Sequence, residues 1–290
     1  MIKAPEIFDN DQIMRNRNRT AAEFVTVDFL KQIAVERLLD RLDLMRRDFG
    51  TVIDVGSQGG YVARALRDHE KVEKVISLDP GSVFAEQASA FGESHEMSVE
   101  ALPANLVKAD AIVSLLYLHQ INDLPGLMKQ MAAQLNPDGL FFAVLFGGRS
   151  LQELRACMSA AEEEIYGGIS PHVAPMADIR DVGGLLGRAG LALPVADSEV
   201  LTVTYSSALR LMQELRLMGE GNSLIGRRQA FTRREVFMRA AAIYQERYGQ
   251  EDGQIPASFE FIHLTAWSPD KSQQQPLRPG SAKVSLKDVF

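Results

Sequence analysis

Two acidic residues stand at the ends of two apolar segments, and their separation is typical of a nucleoside-binding site. Asp54 ends the first segment and precedes a turn that begins at Gly56, and Asp79 ends the second segment 25 residues after Asp54. A carboxylate at the second position can accept hydrogen bonds from both hydroxyls of a ribose. The pattern predicts a βαβ unit that binds an adenosine-containing ligand at the carboxyl edge of a parallel sheet. A βαβ unit with a tight turn and no ligand is the alternative.

The composition of the turn favours S-adenosylmethionine over a dinucleotide. A dinucleotide fingerprint, Gly-x-Gly-x-x-Gly, brings the backbone against a pyrophosphate, but Gln58 occupies the position of the second glycine here. Asp54 also places a negative charge near the turn, which suits the ammonium of methionine better than a phosphate. We therefore predict S-adenosylmethionine as the cofactor.

Alternating strand and helix patterns surround this unit and predict the scaffold that positions it. Buried strands are expected at 52–55, 75–79, 109–116 and 140–146, with a helix at 124–135 and a turn at 136–139. This βαβαβ order predicts an α/β fold with a doubly wound, mostly parallel sheet.

The flanking regions predict added helices and two further strands. Residues 1–47 form an N-terminal helical region, with an apolar face at Phe24, Val25, Phe29, Leu30, Ile33, Ala34, Leu38 and Leu39. Alternating patterns at 199–205 and 258–267 predict two final strands around a helical insertion of about 207–249, with helices at 207–218 and 232–248. The main domain then covers 48–268, and 269–290 is a polar tail.

The composition limits the classes of function that the chain can have. The chain has 290 residues, 46% of them hydrophobic, and a formal net charge of -7, which argues against nonspecific nucleic-acid binding. The single cysteine, Cys157, excludes an internal disulfide and a cysteine-based zinc site, and we expect it to be inert packing on a helix. No apolar run is long enough to span a membrane and no signal core begins the chain, so a reducing cytoplasm is expected.

The order of these motifs resembles class I S-adenosylmethionine-dependent methyltransferases. Within them the chain is similar to the branch of the malonyl-carrier-protein methyltransferase of biotin synthesis, and more closely to methyltransferase-like assembly factors of respiratory complex I and their alphaproteobacterial relatives. The residues that carry this resemblance are Pro5–Asp9, His119–Pro125, Asn136–Leu140, Gly167–Pro171, Asp178–Asp181, Leu211–Gly219 and Pro279–Leu286. The resemblance implies a seven-stranded, Rossmann-like sheet whose last strand is antiparallel.

The resemblance also assigns a cofactor site. Asp54, Gly56, Ser57, Gln58 and Gly60 would line the methionine end. Asp79 would hold the ribose, Pro80 would flank the adenosine, and Ser114 and Leu115 would lie beneath the sulfonium. One position departs from the branch, because Ser98 stands where an acid usually binds the adenine amino group. A second departure is Ala104, where an aromatic residue is expected. Ser98 can still accept a hydrogen bond, but without charge assistance, which would weaken adenine recognition.

Two residues just after the predicted strand at 109–116 are the catalytic candidates. Methyl transfer to an amine or hydroxyl usually needs a base, whereas a carboxylate acceptor needs none. His119 is the nearest candidate base, with Tyr117 beside it. A packing histidine and a wall tyrosine are the alternative interpretations.

A second candidate region, 161–175, follows the predicted strand at 140–146, where a substrate-covering loop would lie. Its glycines and prolines predict a shaped loop rather than a helix. The substrate-binding candidates here and just beyond are Glu164, Ser170, His172, Asp178 and Arg180. A carboxylate could bind Arg180, or a guanidinium could bind Glu164 and Asp178. A solvated helix end with an ordinary ion pair is the alternative.

A third region is basic. Its arginines are expected to form a solvated face, with docking of an acidic carrier or partner as the alternative. These residues are Arg227, Arg228, Arg233, Arg234 and Arg239.

Three functions remain open from the sequence. The first is methyl transfer to a small molecule or protein. The second, from the resemblance alone, is a complex I assembly factor that hydroxylates an arginine of a partner subunit. The third is a noncatalytic assembly module. The five histidines make no His-x-Asp/Glu arrangement for a facial iron triad, and no metal is predicted. A cytoplasmic bacterial protein is expected, with attachment to the inner membrane through a partner as an alternative.

Overall fold

A computed structural model describes residues 6–274. Pro5, the motif 279–286 and most of the predicted tail lie outside the described residues. The helices are α1 (Asn10–Thr20), α2 (Phe29–Leu44), α3 (Tyr61–Leu66), α4 (Ser82–Ala88), α5 (Leu124–Gln134), α6 (Gln152–Tyr166), α7 (Ile179–Arg188), α8 (Ala208–Leu217) and α9 (Arg234–Tyr248). The strands are β1 (Phe49–Val55), β2 (Val72–Asp79), β3 (Glu93–Glu96), β4 (Ala109–Leu115), β5 (Leu135–Phe146), β6 (Ala192–Tyr205) and β7 (Ile255–Trp267).

The strands form one seven-stranded sheet in the order β3-β2-β1-β4-β5-β7-β6. β1 pairs in parallel with both β2 and β4. Because it is a central strand of a parallel sheet, its apolar residues are buried on both faces. β7 runs antiparallel between β5 and β6. This confirms the α/β fold with an antiparallel last strand. The carboxyl ends of β1, β2, β4 and β5 meet at one edge, called here the carboxyl edge.

The predicted turn at 136–139 lies inside β5. Leu135 pairs with Ala109 and Leu140 with Ala111, so the chain inserts extra residues opposite Asp110. Asp138 has a positive φ of 57°, a conformation that aspartate tolerates better than most residues. Residues 136–139 therefore form an irregularity inside β5, and the prediction of a turn that precedes the strand is wrong, because the strand begins at Leu135.

Other differences come from edge strands and helix ends. β3 was not predicted, because its sequence is polar and mostly exposed. β6 begins at Ala192 rather than at 199, since its first half is an exposed edge strand without a clean alternation. Residues 161–166 are the last turns of α6, so the shaped loop begins only at Gly167. Val25 is exposed, unlike the rest of the predicted apolar face.

The N-terminal helices cover the carboxyl edge. α1 is capped by Asp9, whose side chain accepts a hydrogen bond from the Gln12 amide. α1 contacts α4 and α8, and α2 contacts α3 and β4. Helices α8 and α9 lie between β6 and β7 in the chain. Within residues 6–274, no helix is both long and apolar enough to cross a membrane.

Candidate functional site

The turn after β1 brings the backbone close to its neighbours. Gly56 has a φ of +80°, and a Cβ there would collide with the ring of Tyr117. Its amide and that of Ser57 both donate to the carbonyl of Leu78 at the end of β2. Glycine is therefore required at this position by conformation and by space.

Buried polar atoms without a partner collect beside this turn. Both carboxylate oxygens of Asp54, the hydroxyl of Ser57 and the amide oxygen of Gln58 are buried and have no hydrogen-bond partner among the described residues. Burial raises the pKa of Asp54 to about 6, although the positive charge of Lys31 opposes the rise. Buried polar groups are normally satisfied. We call these three residues the methionine end, and they offer acceptors to a ligand with hydrogen-bond donors.

Lys31 adds a cation that the sequence analysis missed. It is buried on α2, and its Nζ donates to the carbonyl of Leu115 at 2.8 Å and to that of Gly56 at 3.3 Å. Burial lowers the pKa of Lys31 to about 8. The sequence did contain a signal for this role, because Lys31 lies in the apolar stripe that includes Leu38. A lysine in such a stripe is expected to be buried and to have a partner.

Asp79 is fully occupied by groups of the chain itself. Its Oδ1 accepts from Nε of Arg17 at 3.0 Å and its Oδ2 from a terminal nitrogen of Arg17 at 2.6 Å. The backbone amides of Gln58 and Gly81 donate to the same two oxygens at 2.7 and 2.8 Å. Four donors thus meet one carboxylate. Arg17 was not among the predicted site residues.

The remaining cofactor candidates occupy different environments. Pro80 is buried directly after Asp79. Ser114 is buried at the end of β4, where its hydroxyl donates to the carbonyl of Val55. Leu115 is buried and offers its carbonyl to Lys31. Ser98 is exposed, on a short bridge to Ala101.

A cleft of about 70 Å³ lies at the carboxyl edge, and we call it the edge cleft. Its lining includes Phe8, His119, Phe146, Ser150, Leu154, His172, Glu220, Asn222, Ser223 and Phe259. A smaller cavity of about 20 Å³ lies beside it and is lined by Lys31 and Gln58. Phe146 and Glu220 line both spaces. The edge cleft therefore adjoins the methionine end.

His119 lines the edge cleft and pairs with a glutamate. Its Nε2 lies 3.2 Å from Oε2 of Glu220, and its Nδ1 has no partner among the described residues. The ring packs edge-on against Phe146, with centroids 4.8 Å apart. A histidine held by a carboxylate can take up a proton from a bound acceptor. Glu220 was missed, because it lies 101 residues away in the sequence.

Tyr117 does not line the edge cleft. It is buried, its hydroxyl donates to the carbonyl of Val99 at 2.5 Å, and burial raises the pKa of Tyr117 far above its ordinary value. This geometry matches the wall residue that was the alternative interpretation.

The substrate candidates are divided between the cleft and the surface. His172 lines the edge cleft, with Nε2 2.9 Å from Oε1 of Glu162. Glu162 is buried and also accepts from the amide and hydroxyl of Ser170. Although burial disfavours its charge, these hydrogen bonds hold the pKa of Glu162 below its ordinary value.

The other three candidates are exposed. Glu164 pairs with Arg239 on the surface, Asp178 caps α7, and Arg180 lies on the first turn of α7. None of them lines the edge cleft. Of the other basic-region residues, Arg227 pairs with Asp9. Arg228 and Arg233 both stack on Tyr166, and Arg234 is exposed.

Two further observations concern metals and cysteine. Residues 6–274 contain no group of three histidine, cysteine, aspartate or glutamate side chains placed to hold a metal ion. Cys157 is buried on α6, and burial raises its pKa to about 11. The thiol is therefore protonated at neutral pH.

The two ends of this edge differ in how well they suit adenosylmethionine. The methionine end has unpartnered acceptors that suit an ammonium, and its Gln58 lines the same small cavity as Lys31. The carboxylate of Asp79 has no acceptor position left for a ribose, because Arg17 and two amides use them. Asp79 would have to release Arg17 before it could bind a ribose.

Comparisons with known proteins identify the family. Residues 29–193 match the family model of a methyltransferase domain. The chain is 36% identical to mouse arginine-hydroxylase NDUFAF5, mitochondrial, over 99% of its own length and 84% of that protein. It is 28% identical to malonyl-(acyl-carrier protein) O-methyltransferase of Gallionella capsiferriformans, over 91% of this chain and 92% of that one.

A solved structure has the same fold. A candidate methyltransferase from Bacillus halodurans superposes with a TM-score of 0.54 at 17% identity, over 84% of this chain and 99% of that one. These findings confirm the resemblance that the sequence motifs carried. The chain therefore belongs to the methyltransferase-domain family, in the branch that includes arginine-hydroxylase NDUFAF5.

Proposed function

We propose that this protein binds S-adenosylmethionine at the carboxyl edge and transfers its methyl group to an acceptor held in the edge cleft. The observation that carries the proposal is the set of buried, unpartnered acceptors at the methionine end, next to a small cavity that adjoins the edge cleft. Asp54 would accept hydrogen bonds from the ammonium and Lys31 would meet the carboxylate. When bound, the cofactor supplies a methyl group already activated by the sulfonium. The side chains of the protein then have to orient the acceptor and remove its proton.

The residues of the edge cleft would orient the acceptor and manage its proton. Methyl transfer needs mainly alignment and exclusion of water, which the aromatic walls at Phe146 and Phe259 would provide. His119 would accept the proton of an amine or hydroxyl acceptor, and Glu220 would stabilise the imidazolium that forms. Neither residue is needed for a carboxylate acceptor.

The test is calorimetric titration with S-adenosylmethionine. Wild-type protein should bind in the micromolar range, and Asp54→Asn should bind far more weakly because the ammonium loses its charged acceptor. The matched control is Asp197→Asn, which changes an exposed aspartate in the same way and should bind like wild type. Absence of both heat and thermal shift with wild-type protein at millimolar ligand would contradict the proposal.

A second candidate function is action on an arginine of a partner protein. It is favoured by the name of the mouse relative and by the fact that Asp79 already binds a guanidinium in this structure. The partner proposed from the family resemblance is a complex I subunit, and the proposed location is the bacterial cytoplasm, with attachment to the inner membrane through that partner. Mass spectrometry of co-purified subunits would test it, since hydroxylation adds one oxygen atom to an arginine. Partner binding without modification would instead favour the noncatalytic assembly module.

A further inference from the structure

Arg17 is bound in a site that is built for a guanidinium. Its side chain is 7% exposed and that of Asp79 is fully buried, and two parallel hydrogen bonds join them. The guanidinium carbon lies 5.4 Å from the ring centroid of Phe84 and 5.3 Å from that of Tyr117. A carboxylate fork combined with aromatic rings is the usual way in which proteins recognise arginine.

The same carboxylate is the one that would hold a ribose. An ionised carboxylate offers about four acceptor positions, and Asp79 uses them for two bonds from Arg17 and one each from the amides of Gln58 and Gly81. The two amides belong to the fixed turns after β1 and β2. Arg17 is therefore the donor that must leave if a ribose is to bind.

The helix that carries Arg17 is connected to one wall of the edge cleft through the residue before it and through its contacts with the segment after Glu220. Phe8, just before α1, lines the cleft and pairs with Leu224. The amide of Asp9 donates to the carbonyl of Ser223 at 2.8 Å, and Asn16 donates to the carbonyl of Gly221 at 2.9 Å. The segment from Gly221 to Leu224 follows Glu220, the partner of His119. A movement of α1 would thus reach the acceptor side.

We propose that Asp79, Phe84 and Tyr117 form a guanidinium site whose resident ligand, Arg17, competes with an adenosyl ligand. Entry of the adenosyl ligand releases α1 from Asp79 and loosens its contacts with the wall of the edge cleft at Gly221–Ser223. Cofactor and acceptor binding are then coupled through α1, and the coupling is reciprocal. The inference rests on the proposed function, since it takes the carboxyl edge as the cofactor site.

The first experiment measures binding of S-adenosylhomocysteine to variants of Arg17. Arg17→Ala removes the competitor and should tighten binding by about tenfold or more, as expected when the binding-competent state is the minor one. Arg17→Lys keeps the charge without the fork and should lie between this variant and wild type. Arg15→Ala is the matched control, because Arg15 is an exposed arginine on the same helix, and it should bind like wild type.

The second experiment uses only wild-type protein, since Arg17→Ala leaves a buried carboxylate and could fail to fold. Hydrogen exchange of the α1 amides should become faster when S-adenosylhomocysteine saturates the protein. Ligand binding with unchanged or slower exchange in α1, or equal affinity in folded Arg17→Ala and wild type, would overturn the competition and leave the proposed function intact. No binding to either wild type or folded Arg17→Ala would overturn both.

Discussion

The two halves of the carboxyl edge differ in what fills them. On the cofactor half, over β1 and β2, Arg17 of α1 already occupies Asp79, and the adjoining cavity has only about 20 Å³. On the acceptor half, over β5 and β7, the edge cleft has about 70 Å³ and is lined by His119 and His172. We call the acceptor half, which has the larger cavity, the open half, and the cofactor half, whose carboxylate is already bound, the closed half. Ligand-dependent change is expected on the closed half.

The largest effect on stability is expected from Asp79→Asn, which removes the buried ion pair with Arg17 on the closed half. Removing one charge of a buried pair leaves Arg17 uncompensated, so the free energy of unfolding should fall by about 3–5 kcal/mol. Urea unfolding measures it. Asp197→Asn is the control, because Asp197 forms an exposed pair with Arg41 and should cost about 0–1 kcal/mol. Equal losses in the two variants would show that the buried pair does not hold α1 in place.

A large effect on turnover is expected on the open half. With an amine or hydroxyl acceptor, His119→Gln should lower kcat by about a hundredfold or more, because the general base is lost. Affinity for S-adenosylhomocysteine should not change. Radiolabelled methyl transfer measures the first quantity and calorimetry the second.

The control for this variant is another buried histidine with the same kind of partner. His263 lies 3.1 Å from Glu199 but does not line the edge cleft. His263→Gln should retain turnover close to wild type. If both variants lose turnover alike, the effect of His119 is one of folding and His119 is not the base.

Whether the sequence could predict a feature of the two halves depends on how far apart in the chain the contacting residues lie. Asp54, Gly56 and Asp79 were located because an apolar strand followed by a glycine turn is a local pattern. The pairing of Asp79 with Arg17 was not predictable, since Arg17 is one arginine in a polar helix and reaches across 62 residues. Glu220 likewise meets His119 across 101 residues. Local patterns specified the strand ends, and tertiary packing chose their partners.

The affinity of the methionine end should depend on pH. Because burial raises the pKa of Asp54 to about 6, its carboxylate is protonated below that pH and can no longer attract an ammonium. Affinity for S-adenosylmethionine should therefore fall by up to about tenfold for each pH unit below 6. The charged groups that act on Asp54 are Lys31, Asp79 and Arg17.

The upper side of the pH profile involves Lys31. Its pKa is lowered to about 8, so affinity should be flat between about 6 and 8 and should decline above that range if Lys31 meets the ligand carboxylate. Calorimetry across this pH range is the measurement. Asp54→Asn should show weak binding without the acidic limb. An acidic limb that survives in this variant would assign the titration to another group.

The smallest effects concern the loop that borders the open half. Two neighbouring glutamates of α6 allow a comparison, because one is buried and bonded to the loop and the other is exposed. Glu162→Gln should weaken the hydrogen bonds from Ser170 and the pairing with His172, which should cost about 1–3 kcal/mol and speed amide exchange in residues 167–176. Glu164→Gln removes an exposed pair with Arg239 and should leave both the urea midpoint and the exchange rates unchanged. Because the two residues are on the same helix, two positions apart, equal behaviour would mean that the loop is ordered by its own glycines and prolines and not by Glu162. The acceptor side of the edge would then be less preformed than the edge cleft suggests.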